Sequence, residues 1–166
     1  MAARSGFTDA EWTRLVESPM LVAMAVTAAE PSGVLGLLRE SLAAAEALAA
    51  ARAESTTNPL IKAVAEAYAT PEGRGAASVA VQRHMQGCAP ADATSHAIAG
   101  LAEVARLLET KAPTDATSFK AWLRAVGERV AEAATEGGFL GFGGVKVSEA
   151  ERATLAEIGR ALRLDA

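Results

Sequence analysis

The residues best equipped for chemistry are His84, Cys88 and His96, the two histidines and the one cysteine of the chain. Four positions apart, His84 and Cys88 would share a helix face, where an imidazole can activate a thiol or join it on a soft metal. A thiolate nucleophile needs a depressed pKa, which nothing nearby in the sequence supplies. A closed soft-metal site takes about four ligands, and these three are all the chain offers. The expectation is one ordinary buried thiol and two unrelated histidines. There is no Gly-x-Ser-x-Gly elbow for a serine nucleophile and no Glu-x-x-His pair for a di-iron bundle. The glutamates fall mainly on predicted exposed faces. No catalytic residue and no cofactor emerges, and a non-enzymatic role is expected.

A second candidate is Glu136-Gly137-Gly138-Phe139-Leu140-Gly141-Phe142-Gly143-Gly144, an apolar glycine-rich loop between two predicted helices. Flexible linkers are polar, and glycine carries an entropic cost, so this loop needs a reason in the folded state. Calcium takes about six to eight oxygens at alternate loop positions. Counting from Glu136 meets Gly138, Leu140, Phe142, Gly144 and Val147; counting from Glu30 meets Ser32, Val34, Gly36, Leu38 and Ser41. Neither loop can cage the ion with side chains. A dinucleotide fingerprint requires a preceding strand, and a P-loop requires glycine where Val145 precedes Lys146. Two readings remain for Phe139, Leu140 and Phe142. They plug the core between the flanking helices, or they form an apolar patch for another protein or a second copy of the chain.

Composition narrows the rest. The 166 residues suffice for one domain with a real core, and net charge is −4 with both signs interspersed. No basic stripe suggests nucleic acid. A lone cysteine fits a reducing, cytoplasmic setting, and no apolar leader follows Met1. The longest apolar run, Met20 to Ala29, is about half of the roughly 20 residues that span a bilayer.

These groups must be positioned by helices, because apolar residues recur at helical spacing and no strand-like alternation persists. Thr8 to Glu11 is a capping box, with Phe7 and Trp12 at the staple positions. Ser18-Pro19 is expected to end that helix and begin a second, Pro19 to Ala29, apolar all round and therefore central. Further helices are expected over about 34–54, from Asn58-Pro59, from Thr70-Pro71 to near Gly87, from Pro90 to Lys111, and from Asp115 to Thr135. A last helix follows the capping box Ser148 to Glu151. Gly73 and Gly75 weaken the start of the fifth. The sum is an all-α bundle of about eight helices over residues 1–166, with possible halves 1–88 and 89–166. Ala29 to Gly36 and Thr135 to Gly141 are similar enough to suggest paired loops in those halves.

The stretch from Val130 to Ile158 resembles the tellurite-resistance TerB-like helical domains. Ala133-Ala134-Thr135-Glu136-Gly137 would supply that family's acidic-glycine turn, and Val147-Ser148-Glu149-Ala150-Glu151 its helix restart. Residues Gly138 to Lys146 read as an insertion, and Glu136 stands where the family has aspartate. The resemblance implies an all-helical fold, stress-response complexes and acidic surfaces for divalent cations; only Glu136 and Glu30 carry over as metal candidates. The expected role is an interaction or stress-associated module that self-associates. A small-ligand carrier, with an apolar guest between alanine-rich helices, is the alternative.

Overall fold

The computed structural model describes residues 4–29, 33–54, 57–135 and 147–164, without side chains for 33–40 and 134–135. Among the described residues there are seven α-helices and no strand. They are α1 (Asp9–Ala29), α2 (Gly33–Ala53), α3 (Pro59–Ala67), α4 (Pro71–His84), α5 (Ala93–Lys111), α6 (Pro113–Thr135) and α7 (Glu149–Ala161). A short 3₁₀ turn, Pro90–Asp92, leads into α5.

Local chemistry sets most of the starts. The Thr8 amide donates to Glu11 Oε2 at 2.8 Å and the Glu11 amide to Thr8 Oγ1 at 3.3 Å, a reciprocal capping box. Asn58 Oδ1 accepts from the amides of Leu60 and Ile61, and Thr70 Oγ1 from that of Gly73. Ser148 and Glu151 close the second capping box, at the head of α7. The Asn58 amide also donates to Asp115 Oδ1 at 2.7 Å, tying the α3 cap to the first turn of α6.

The expected break at Ser18-Pro19 does not occur. Helix α1 runs through Pro19, so two expected helices are one and the described residues hold seven. Proline cannot donate to the carbonyl four residues back, which here is Leu15. The Ser18 hydroxyl donates to that carbonyl at 2.7 Å and supplies the missing bond. The helix therefore keeps its acceptor satisfied across the proline.

Helix α1 is the centre of the bundle and packs against each of the other six helices. The most extensive pairings are α1 with α5 and α2 with α6, so both join the first half of the chain to the second. One apolar cluster draws residues from all seven helices, including Leu21, Leu48, Val64, Val81, Leu101, Phe119 and Ile158. Gly127 lets α6 approach α1 and α7: a Cβ there would lie 2.9 Å from Val22 Cγ1 and 3.1 Å from Leu155 Cδ2. None of the helices described is long and apolar enough to cross a membrane.

Candidate functional site

Helix α1 is apolar on both flanks of its second half, and the two flanks have different fates. Leu21, Val22, Ala25 and Val26 are buried in the core. Met20, Ala23, Met24, Thr27 and Ala28 are only half-buried and line a groove of about 750 Å³. Helix α2 forms the facing wall with Ser41, Ala44, Ala45, Leu48, Ala49 and Arg52, the spacing of a single helical stripe. Four of these six are alanine or serine, and short side chains leave the space between the helices unfilled. Ala65, Tyr68 and Arg74 complete the lining from α3, its C-cap and the first turns of α4.

Two of these residues are fixed by hydrogen bonds to backbone. The Tyr68 hydroxyl donates to the carbonyl of Val16 in the body of α1. Burial, and then the nearby Glu17 carboxylate, push its pKa up, so it stays a neutral phenol. Arg74 Nη1 donates to the carbonyls of Tyr68 at 3.0 Å and Ala69 at 3.3 Å, satisfying acceptors that the end of α3 leaves open. A smaller cavity of about 500 Å³ lies between α2, the start of α3 and α6, bordered by Ala47, Asn58, Trp122 and Arg129.

A polar cluster joins α1, α4 and α5. Glu17 is 5% exposed, and its Oε1 lies 3.7 Å from His84 Nδ1. Burial raises the Glu17 pKa, with Arg14 opposing it, and burial lowers that of His84, so each is driven toward its neutral form. At 3.7 Å the contact is a loose one, longer than a direct hydrogen bond. Among the described residues His84 Nε2 is buried without a hydrogen-bond partner. The ring edge packs closely on Gly100, where a Cβ would come within 2.6 Å of both Cε1 and Nε2. His96 Nε2 donates to the His84 carbonyl at 2.9 Å, and the two rings meet edge to face at 5.1 Å.

The histidines are therefore neighbours, not unrelated as the sequence suggests. Cys88 does not join them. Helix α4 ends at His84, Gly87 turns the chain at φ +80°, and the half-buried Cys88 thiol donates to the Ala89 carbonyl at 3.4 Å. The shared helix face expected for His84 and Cys88 is lost because the helix stops four residues earlier. Among the described residues no group of three or more His, Cys, Asp or Glu is arranged to hold a metal. Glu30, Glu136 and the loop Gly137, Gly138, Phe139, Leu140, Gly141, Phe142, Gly143 and Gly144 lie outside the described residues, as do the core of the suggested paired loops.

Sequence reasoning did not identify the groove residues, although a signal was present. A run of apolar residues around the whole of Met20 to Ala29 has more apolar surface than one core contact needs. The alanine stripe of α2 marks where its partner stands off. Comparison of the chain with known protein families, with curated proteins and with solved structures finds no match.

Proposed function

We propose that this chain is a non-enzymatic helical binding protein that holds a small apolar ligand in the groove between α1 and α2. The observation that carries this reading is the groove itself. Its volume of about 750 Å³ falls within the roughly 300–1,000 Å³ typical of small-molecule sites. Its lining is mainly Met, Ala and Leu, with a few polar groups at defined places, the composition expected of a site that takes apolar surface and orients it.

The test uses Nile red, a neutral dye whose fluorescence rises in apolar surroundings. Saturable one-site binding and a dye-dependent rise in Tm are expected, since a ligand at about 100 times its Kd adds roughly 2.7 kcal/mol to the folded state. Ala45→Trp, which puts a large ring into the groove, should abolish binding while the far-UV circular dichroism stays helical. Binding that does not saturate, or that survives Ala45→Trp in a folded protein, would end the proposal.

An interaction module that self-associates is the second reading. It is favoured by two large apolar side chains that, among the described residues, are left open to solvent, Leu42 at 59% and Val79 at 44% exposure. Sedimentation velocity across a concentration series separates the two. A dimer weakened by Leu42→Glu, without saturable dye binding, would support association instead.

A further inference from the structure

We infer that the groove selects a free single-chain amphiphile with an acidic head group; this rests on the ligand-binding reading above. The observation is the charge of the lining. The chain as a whole is acidic, at −4, yet the charged residues among the described lining are Arg52 and Arg74, and that lining holds no carboxylate. Among the described residues neither guanidinium forms an ion pair, so both charges are open to a ligand.

The placement of these charges fits an amphiphile. Arg52 and Arg74 are exposed, whereas the α1 residues of the lining, Met20 to Ala28, are half-buried. An apolar tail would lie along α1 with its head group at the wet edge. Arg74 Nη1 is already committed to the carbonyls of Tyr68 and Ala69, which fixes the plane of the guanidinium and leaves its remaining N–H donors for an acid. A planar, fixed guanidinium suits a carboxylate better than a mobile ammonium does. The α2 side of the groove, Ser41 to Arg52, runs for about 16 Å at 1.5 Å per residue, so an extended alkyl chain fits better than a compact ring.

The experiment measures displacement of Nile red by dodecanoate, dodecanol and dodecyltrimethylammonium, each below its micelle concentration. Wild type is compared with Arg52→Gln/Arg74→Gln. Dodecanoate should compete about tenfold better than dodecanol, with the cation no better than the alcohol, the scale expected of two exposed charge contacts. In the double variant the preference for the acid should vanish, while dodecanol keeps its affinity within about twofold. If the double variant loses its helical signal, Arg52→Gln alone serves, because it breaks no backbone hydrogen bond; a reduced preference is then expected.

Equal competition by acid and alcohol in the wild type would overturn the inference. So would a preference that persists in the double variant, or saturable dye binding that none of the three compounds displaces; in these cases the groove remains a ligand site. Dye that never saturates removes the ligand-binding reading as well. Association with phosphatidylglycerol vesicles, without displacement by monomeric dodecanoate, would assign the arginines to a membrane surface and overturn the inference too.

Discussion

The hydroxyl of Ser18 lies 2.7 Å from the carbonyl oxygen of Leu15, the acceptor that Pro19 has no N–H to serve. Ser18 is fully buried, so no water replaces this bond if it is removed. Ser18→Ala should therefore cost about 1–3 kcal/mol, the range for a buried acceptor left unsatisfied. In a Pro19→Ala background the restored amide can reach Leu15, and the same substitution should cost much less. Urea unfolding of the four proteins closes a double-mutant cycle. A serine effect of equal size in both backgrounds would show that the hydroxyl does not stand in for the missing amide.

That pair also shows where the sequence could be read and where it could not. Caps and stripes are local, and Thr8, Asn58, Thr70 and Ser148 all start helices as their side chains require. Of the stripe Phe119, Trp122, Leu123, Val126 and Val130 that helical spacing places inward, all are buried except Trp122, which is half-buried against the core. Ser18-Pro19 reads locally as the same start signal, and only the fold reveals that the serine faces back to Leu15. Likewise the spacing of His84 and Cys88 assumed a continuous helix, and the turn at Gly87 removed it. The groove depends on how far apart α1 and α2 stand, and no single segment records that distance.

Two glycines in α4 should respond in opposite directions. Both lie near its start, where the sequence reads them as weakening the helix. A Cβ on Gly73 would collide with the carbonyl oxygen of Ala67, the last residue of α3, whereas one on Gly75 meets nothing within 4 Å. Gly75→Ala should stabilise by about 0.5–1 kcal/mol through helix propensity. Gly73→Ala should destabilise by about 1–3 kcal/mol, because backbone must move. Denaturant midpoints decide it, and equal stabilisation by both would mean that α3 and α4 are not in close approach.

Glu109 joins α5, α6 and the C-terminal segment. It accepts from Lys120 Nζ at 3.0 Å and from Arg163 Nη1 at 2.7 Å, and Lys120 is itself buried. The hydrogen bond from Lys120, followed by its charge and that of Arg163, holds the Glu109 pKa below the usual carboxylate value of 4.5. The stability it contributes is present above that value and is lost as pH falls through the depressed pKa. Glu109→Gln should therefore lower Tm at neutral pH, with the deficit closing in acid. A deficit that does not change with pH would mean that lost packing, not charge, is responsible.

Glu17 should act with the opposite sign. Burial raises its pKa above 4.5, so the folded protein keeps a proton that the unfolded chain has released. Unfolding free energy then falls as pH rises from 4.5 through the raised value, and the full penalty stands above it. His84 works against this in part. Its pKa is lowered from 6.5 by burial, so it costs stability as pH falls from 6.5 through the lowered value. Arg14, His84 and Tyr68 surround the carboxyl and are unchanged in Glu17→Gln, which removes only the titration. That variant should be more stable than wild type near about pH 8, with the gain shrinking toward about pH 4. Urea midpoints at the two values measure it. A gain of the same size at both would mean that Glu17 titrates as a solvated carboxylate.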